Sequence, residues 1–99
     1  MKIDFTDAAI ADLRSIRKYT LDHWGPKQEQ AYLESLWAKF EDLTSNPERC
    51  RSRDDLFPGC QIASQGKHVI LFRVHNGLLQ IVRVLHSAMD YPRHVPKNF

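Results

Sequence analysis

Several kinds of segment are missing from this 99-residue chain, and each absence removes a class of protein. No apolar run approaches the ~20 residues that a membrane-spanning helix needs. The opening Met1-Lys2-Ile3-Asp4-Phe5 has no apolar stretch of the kind that directs export, so a cytoplasmic setting is expected. Cysteine is scarce. Cys50 and Cys60 are the two, ten residues apart; a secreted protein can bridge such a pair, but in a reducing compartment both are expected to stay thiols. They are not in CxxC spacing, there is no HExxH, and histidines 23, 68, 75, 86 and 94 include no i, i+4 pair, so no metal site is expected. A Gly-rich phosphate loop and a G-x-S-x-G elbow are both absent, which removes the common nucleotide-binding and hydrolase signatures. No cofactor is expected. Repeats and low-complexity segments are lacking too.

What is present is an ordinary globular composition. Hydrophobic residues make up 42% of the chain and charged residues 26%, enough for one modest core. A single domain over residues 1–99 is expected. The net charge of +2 is unevenly placed. Residues 1–50 hold seven basic and nine acidic side chains, a balance of −2, whereas residues 51–99 hold seven basic and three acidic, a balance of +4. A basic half points to an acidic partner, either nucleic acid or an acidic protein segment, against the plainer reading of a solvated mixed surface.

Periodicity sets out the elements. Lys2 to Phe5 alternates and reads as a short strand. Thr6 offers a side-chain oxygen at a helix N-cap, and Ile10, Leu13, Ile16 and Tyr19 mark an amphipathic helix over residues 7–23. Gly25-Pro26 ends that helix and starts the next. Leu33, Leu36, Trp37, Phe40 and Leu43 then form a core stripe to about Thr44. So short a turn makes the two helices an antiparallel hairpin. Residues 45–59 read as a polar loop, followed by strands at Cys60–Ser64, His68–Val74 and Leu78–His86, the last two joined by an Asn76-Gly77 hairpin turn. The fold class is therefore α+β: an N-terminal strand, a two-helix hairpin and a three-stranded antiparallel meander.

With Asn76-Gly77 at the turn centre, position 75 faces 78, 73 faces 80 and 68 faces 85. One sheet face then carries His68, Ile70, Phe72, Val74, Leu79, Ile81, Arg83 and Leu85. The other carries Val69, Leu71, Arg73, Gln80, Val82, Val84 and His86. In this register His68 and His86 point to opposite faces. Both faces are apolar, the helices can cover only one, and the other needs a partner or the C-terminal tail. Arg73 and Arg83 sit in apolar strands and either lie along the sheet with their heads at its edge or pair with a carboxylate: Asp12, Glu41 or Asp90, or one from another chain. A histidine near neutral pH can move protons, and Arg73, Arg83 and Arg93 can stabilise phosphoryl charge, but no base–orienter pair is identifiable and no catalytic residue is assigned.

The chain resembles the ParE branch of the RelE/ParE toxin superfamily. The likeness runs through Ala11-Asp12-Leu13 with Ile16 and Tyr19, Trp24-Gly25, Ala31-Tyr32 with Leu36, Leu43 with Pro47, and Pro58-Gly59. It continues through the strand His68–Val74 and the ending Ile81-Val82-Arg83-Val84-Leu85-His86 with Met89-Asp90. The resemblance implies the toxin half of a type II toxin–antitoxin pair: a gyrase inhibitor that acts by binding and is neutralised by a ParD-type antitoxin. An acidic amphipathic segment of such an antitoxin suits the spare sheet face, an outer helical groove and the basic second half. Arg73, Val82, Arg83, Val84 and His86 are expected to meet it. Met89, Asp90, Tyr91, Arg93 and His94 of the tail are expected to meet the target. RelE relatives cut messenger RNA on the ribosome, which is the alternative. Here His68 and Ser87 stand where active-site arginines of that branch are expected, although Lys67 is kept. A non-toxic binding domain is the third reading.

Overall fold

The computed structural model describes residues 1–96. Strand β1 (Lys2–Phe5) leads into helices α1 (Asp7–Trp24) and α2 (Pro26–Ser45). A short strand β2 (Arg51–Ser52) follows, then β3 (Gln61–Gln65), β4 (His68–His75) and β5 (Leu78–His86). Single 3₁₀ turns occupy Pro47–Arg49 and Tyr91–His94. The sheet has the order β1-β5-β4-β3-β2, with β1 parallel to β5 and the remaining pairs antiparallel.

Local chemistry explains the element boundaries. Thr6 Oγ1 accepts the Ala9 N–H at 3.0 Å and donates to the Val82 carbonyl at 2.6 Å, so one hydroxyl caps α1 and ties its start to β5. Gly25, at φ 87°, is the one residue between the helices, a conformation that glycine takes without steric cost. Arg17 of α1 meets Glu29 of α2 at 3.0 Å.

The hairpin covers one sheet face through Ala9, Ile16, Leu36, Phe40 and Leu43, packed on Ile70, Phe72, Leu79, Ile81 and Val84. The α1 contact face is thus Ala9, Leu13, Ile16 and Thr20, with Ile10 and Tyr19 exposed. The expected stripe was displaced because two small residues, Ala9 and Thr20, sit innermost. Thr20 is buried at no polar cost because its hydroxyl donates to the Ile16 carbonyl at 2.7 Å. Trp37 also departs from the expected core stripe. It follows Leu36 by one residue, hence by about 100° around the helix, and lies half exposed, stacked on Phe5 at 5.8 Å with its indole N–H on Glu41.

The opposite sheet face is covered from within the chain. Leu56, Phe57 and Cys60 pack on Val69, Leu71, Val82 and Leu85, with Tyr91 and Val95 of the tail at the side. The expected polar loop over 45–59 therefore contributes core side chains and the strand β2. Cys50 packs on the helix-side core and Cys60 lies in the other, so both are free thiols held apart.

One register expectation is overturned. His75 faces Leu78 and Arg73 faces Gln80 as the hairpin turn requires, but the pairing shifts between Leu71 and Phe72. Phe72 pairs with Ile81 and Leu71 with Arg83, leaving Val82 as the extra residue of a bulge. Beyond it His68 faces His86 rather than position 85. A one-residue slip moves every later side chain to the other face, so Val84 joins the helix-side core, Leu85 the outer one, and the two histidines share a face.

Candidate functional site

Where β1 ends, the edge of β5 is left without a strand partner, and α1 supplies a substitute. Asp12 Oδ2 accepts the Val84 N–H at 2.9 Å. The same carboxylate takes both Nε and Nη2 of Arg83 at 2.7 Å each, and Arg83 Nη1 donates to the His94 carbonyl at 2.6 Å. This bidentate pair, with side chains 20% and 13% exposed, pins the first helix, the last strand and the tail together. The hydrogen bonds to Asp12 raise the Arg83 pKa further above its already high ordinary value.

Beyond this pair the hairpin and the sheet diverge, leaving a cleft of about 770 Å³. Ile16, Thr20, Val84 and Leu85 line it, Tyr19, Trp24 and Met89 contribute exposed apolar surface, and Tyr32, Lys67, His68 and His86 supply polar groups. Tyr32 reaches across from α2 to the β3–β4 turn. Its hydroxyl lies 2.5 Å from His68 Nδ1 and 3.3 Å from the Gln65 carbonyl, and accepts the Lys67 N–H at 3.3 Å. Gly66 makes this approach possible, since a Cβ there would sit 2.7 Å from the Tyr32 ring and hydroxyl. His68 and His86 stand edge to face with centroids 5.7 Å apart, and His86 Nδ1 accepts the Ala88 N–H at 3.1 Å. Burial, and secondarily His86, lowers the His68 pKa, while Asp12 acts in the opposite direction. Burial raises the Tyr32 pKa against the Lys67 N–H.

The residues expected to meet an antitoxin are spread over the fold. Val82 and Val84 are buried in opposite cores, Arg83 is held by Asp12 and His94, Arg73 is half-buried with its Nε on Gln80 at 2.8 Å, and His86 is in the cleft. Those expected to meet the target divide as well. Met89, Asp90 and Arg93 are exposed, with Asp90 and Arg93 paired at 3.2 Å. Tyr91 packs on the outer core and His94 is half-buried through its carbonyl contact. Sequence reasoning missed Tyr32 and Gly66 as neighbours of His68; it named Lys67 only as a residue kept from the RelE branch. The signal available was a tyrosine on the first half of α2 opposite a glycine turn, which has no fixed spacing to search for. Among the described residues, no group of three or more His, Cys, Asp or Glu side chains is placed to hold a metal ion.

Comparison with known proteins agrees with this geometry along nearly the whole chain. The family described as "ParE toxin of type II toxin-antitoxin system, parDE" matches residues 3–91. Toxin ParE1 of Mycobacterium tuberculosis is 37% identical over 89 residues, covering 89% of this chain and 91% of its own. Toxin ParE1 of Caulobacter vibrioides is 32% identical over 87 residues, covering 88% and 90%. The fold is shared with a solved structure of a chromosomal ParDE toxin–antitoxin system from P. aeruginosa, at a TM-score of 0.73 and 22% identity, over 87% of this chain and 95% of that one.

Proposed function

This chain belongs to the ParE toxins of type II toxin–antitoxin systems, and we propose that it binds and inhibits DNA gyrase in the bacterial cytoplasm until a ParD-type antitoxin neutralises it. The observation that carries the reading is the family agreement over residues 3–91. The arrangement of the cations supports inhibition by binding rather than by cleavage. Arg83 is held by Asp12 and the tail, Arg73 contacts Gln80, and Arg93 lies on the surface with Asp90, so the arginines do not gather around the histidine cleft. Among the described residues Lys67 is the cation that lines the cleft beside the histidines, and metal-free phosphodiester cleavage needs a base together with charge stabilisation around one phosphate. The open cleft with exposed Tyr19, Trp24 and Met89 suits the apolar side of an antitoxin segment, and the exposed Met89, Asp90 and Arg93 suit the target contact. No helix among the described residues is long and apolar enough to cross a membrane, in keeping with a cytoplasmic site of action.

Messenger RNA cleavage is the second reading, and the Tyr32–His68–His86 cluster is what favours it. Growth assays separate the two. Expression of this chain alone is expected to arrest division with induction of the DNA-damage response, and co-expression of the antitoxin encoded beside it is expected to restore growth. Arrest with fragmented messenger RNA, lost on replacement of His68 or His86, selects the cleavage reading, while harmless expression contradicts both.

A further inference from the structure

The two facing histidines have their inner nitrogens committed and their outer ones unused. His86 Nδ1 accepts a backbone N–H, which places the neutral ring's proton on Nε2. At His68 the Tyr32 hydroxyl lies nearest to Nδ1. When Tyr32 donates there, the His68 proton is again on Nε2. When His68 is protonated, Nδ1–H donates to the Tyr32 oxygen and the hydroxyl proton turns to the Gln65 carbonyl, 3.3 Å away. In these two states Nε2 carries hydrogen; in the remaining neutral tautomer, with Nδ1–H on the Tyr32 oxygen and the hydroxyl donating to the Gln65 carbonyl, Nε2 is an acceptor, and a bound carboxylate selects against it. Among the described residues neither Nε2 has a hydrogen-bond partner. The two rings thus stand edge to face at the cleft, His86 with an Nε2–H donor and His68 with one in two of its three states, and Lys67, next to His68 in the chain, lines the same cleft.

We propose that this end of the cleft is a carboxylate-binding subsite, in which the Nε2–H groups of His68 and His86, with Lys67 beside them, hold an acidic side chain of an amphipathic antitoxin segment; the inference rests on the antitoxin reading above. Charge complementarity and the cleft walls both select this ligand. Tyr19, Trp24 and Met89 offer exposed apolar surface at this cleft to the apolar side of a peptide, whereas contacts to a sugar–phosphate backbone are mostly hydrogen bonds to phosphate and sugar. A metal ion bridging the two rings does not fit. Metal on Nε2 of His86 requires the proton on Nδ1, where the Ala88 N–H already points.

The charged and titratable groups sharing the cleft are Asp12 and Tyr19 of α1, Tyr32 of α2, Lys67 of the turn and His86 of β5. Asp12 opposes a second carboxylate, but it is neutralised by Arg83. A bound carboxylate then favours the charged form of His68, and the Tyr32 hydroxyl accommodates that proton. Binding is therefore linked to proton uptake at one histidine and strengthens as the solution becomes more acidic.

The test is an NMR titration of the histidine ring signals of the purified protein in excess propionate, in the isosteric neutral propionamide, and in inorganic phosphate. Propionate is expected to raise the His68 midpoint by about one pH unit, propionamide to leave it in place, and phosphate to act less than propionate. His86→Gln, at an exposed position, is expected to weaken propionate binding several-fold with the fold unchanged by circular dichroism. Equal responses to propionate and propionamide, a larger response to phosphate, or an unaltered affinity in His86→Gln overturns the subsite. Any of these leaves the antitoxin reading standing, because that reading fails separately, in the growth assay.

Discussion

Three nitrogens of Arg83 hold Asp12 and the His94 carbonyl, and Asp12 also serves the Val84 N–H. Truncating the carboxylate strands a partly buried guanidinium and a backbone donor at once. Asp12→Ala is therefore expected to cost about 3 kcal/mol, read from the urea midpoint; a cost below about 0.5 kcal/mol, typical of a surface pair, contradicts the role given to it. For Arg83 a carboxylate partner was legible as one of two readings, but the choice among Asp12, Glu41 and Asp90 was not, because it depends on where β1 stops and the bulge falls; Arg73 donates to the Gln80 side-chain oxygen. The thiols make a second residue-scale case. Burial pushes Cys60 up to about 12 and raises Cys50 as well, so thiolate is scarce at both. Alkylation at about pH 8, followed by mass spectrometry, is expected to label Cys50 slowly and Cys60 only in denaturant; rapid native labelling of Cys60 contradicts its placement.

His68 gives the pH dependence. Its folded-state pKa lies below the ordinary imidazole value because burial, then His86, disfavours the charge. The unfolded chain accordingly takes up the proton at higher pH than the folded one. The stability linked to this group is complete above about pH 6.5 and is lost as pH falls from there through the folded-state value. The melting temperature is expected to drop over that window and to drop less in His68→Gln; parallel profiles for the two proteins contradict the linkage.

At the scale of elements, the β3–β4 turn and α2 meet through one glycine. Gly66 has φ +58°, and an added Cβ would lie 2.7 Å from Tyr32, so Gly66→Ala combines backbone strain with displacement of the ring. The histidine signals in this variant are expected to lose the Tyr32 contact and the fold to weaken by about 1–3 kcal/mol. Gly77→Ala, at φ +73° with nothing within 4 Å of the added Cβ, strains the backbone alone and leaves His68 unchanged. The tail behaves as an element too. Tyr91 and Val95 support the outer core, so deleting residues 89–99 damages the fold, and point changes at the exposed Met89, Asp90 and Arg93 are the sound probe of target contact. Element identity was readable from the change of period between residues 44 and 60, from Gly25-Pro26 and from Asn76-Gly77. The short strand β2 was not, since two residues carry no period, nor was the bulge at Val82, since it inserts a residue without breaking the run of apolar side chains.

For the whole molecule, the sheet is a partition between two cores, one made by the hairpin and the other by a loop and the tail. The sequence showed that both faces must be covered, because both strands of the β4–β5 hairpin are apolar on alternate and intervening positions alike. Covering the outer face by residues 53–60 was hidden by the charged company that Leu56 and Phe57 keep, where Arg53, Asp54 and Asp55 fold back on themselves and on Gly59. The candidate site was legible only as single residues, His68 and His86, since the bulge that brings them face to face was not. With both sheet faces closed, the proposed division of labour gives the cleft beside α1 to the antitoxin and the exposed part of the tail to gyrase.

The measurement that bears most directly on this account is DNA supercoiling by purified gyrase in the presence of this protein, with and without its antitoxin. The account predicts loss of supercoiling with accumulation of cleaved DNA, relieved by the antitoxin and weakened by substitutions at Met89, Asp90 and Arg93. Full supercoiling activity at micromolar protein, with arrest of growth still seen in cells, contradicts it.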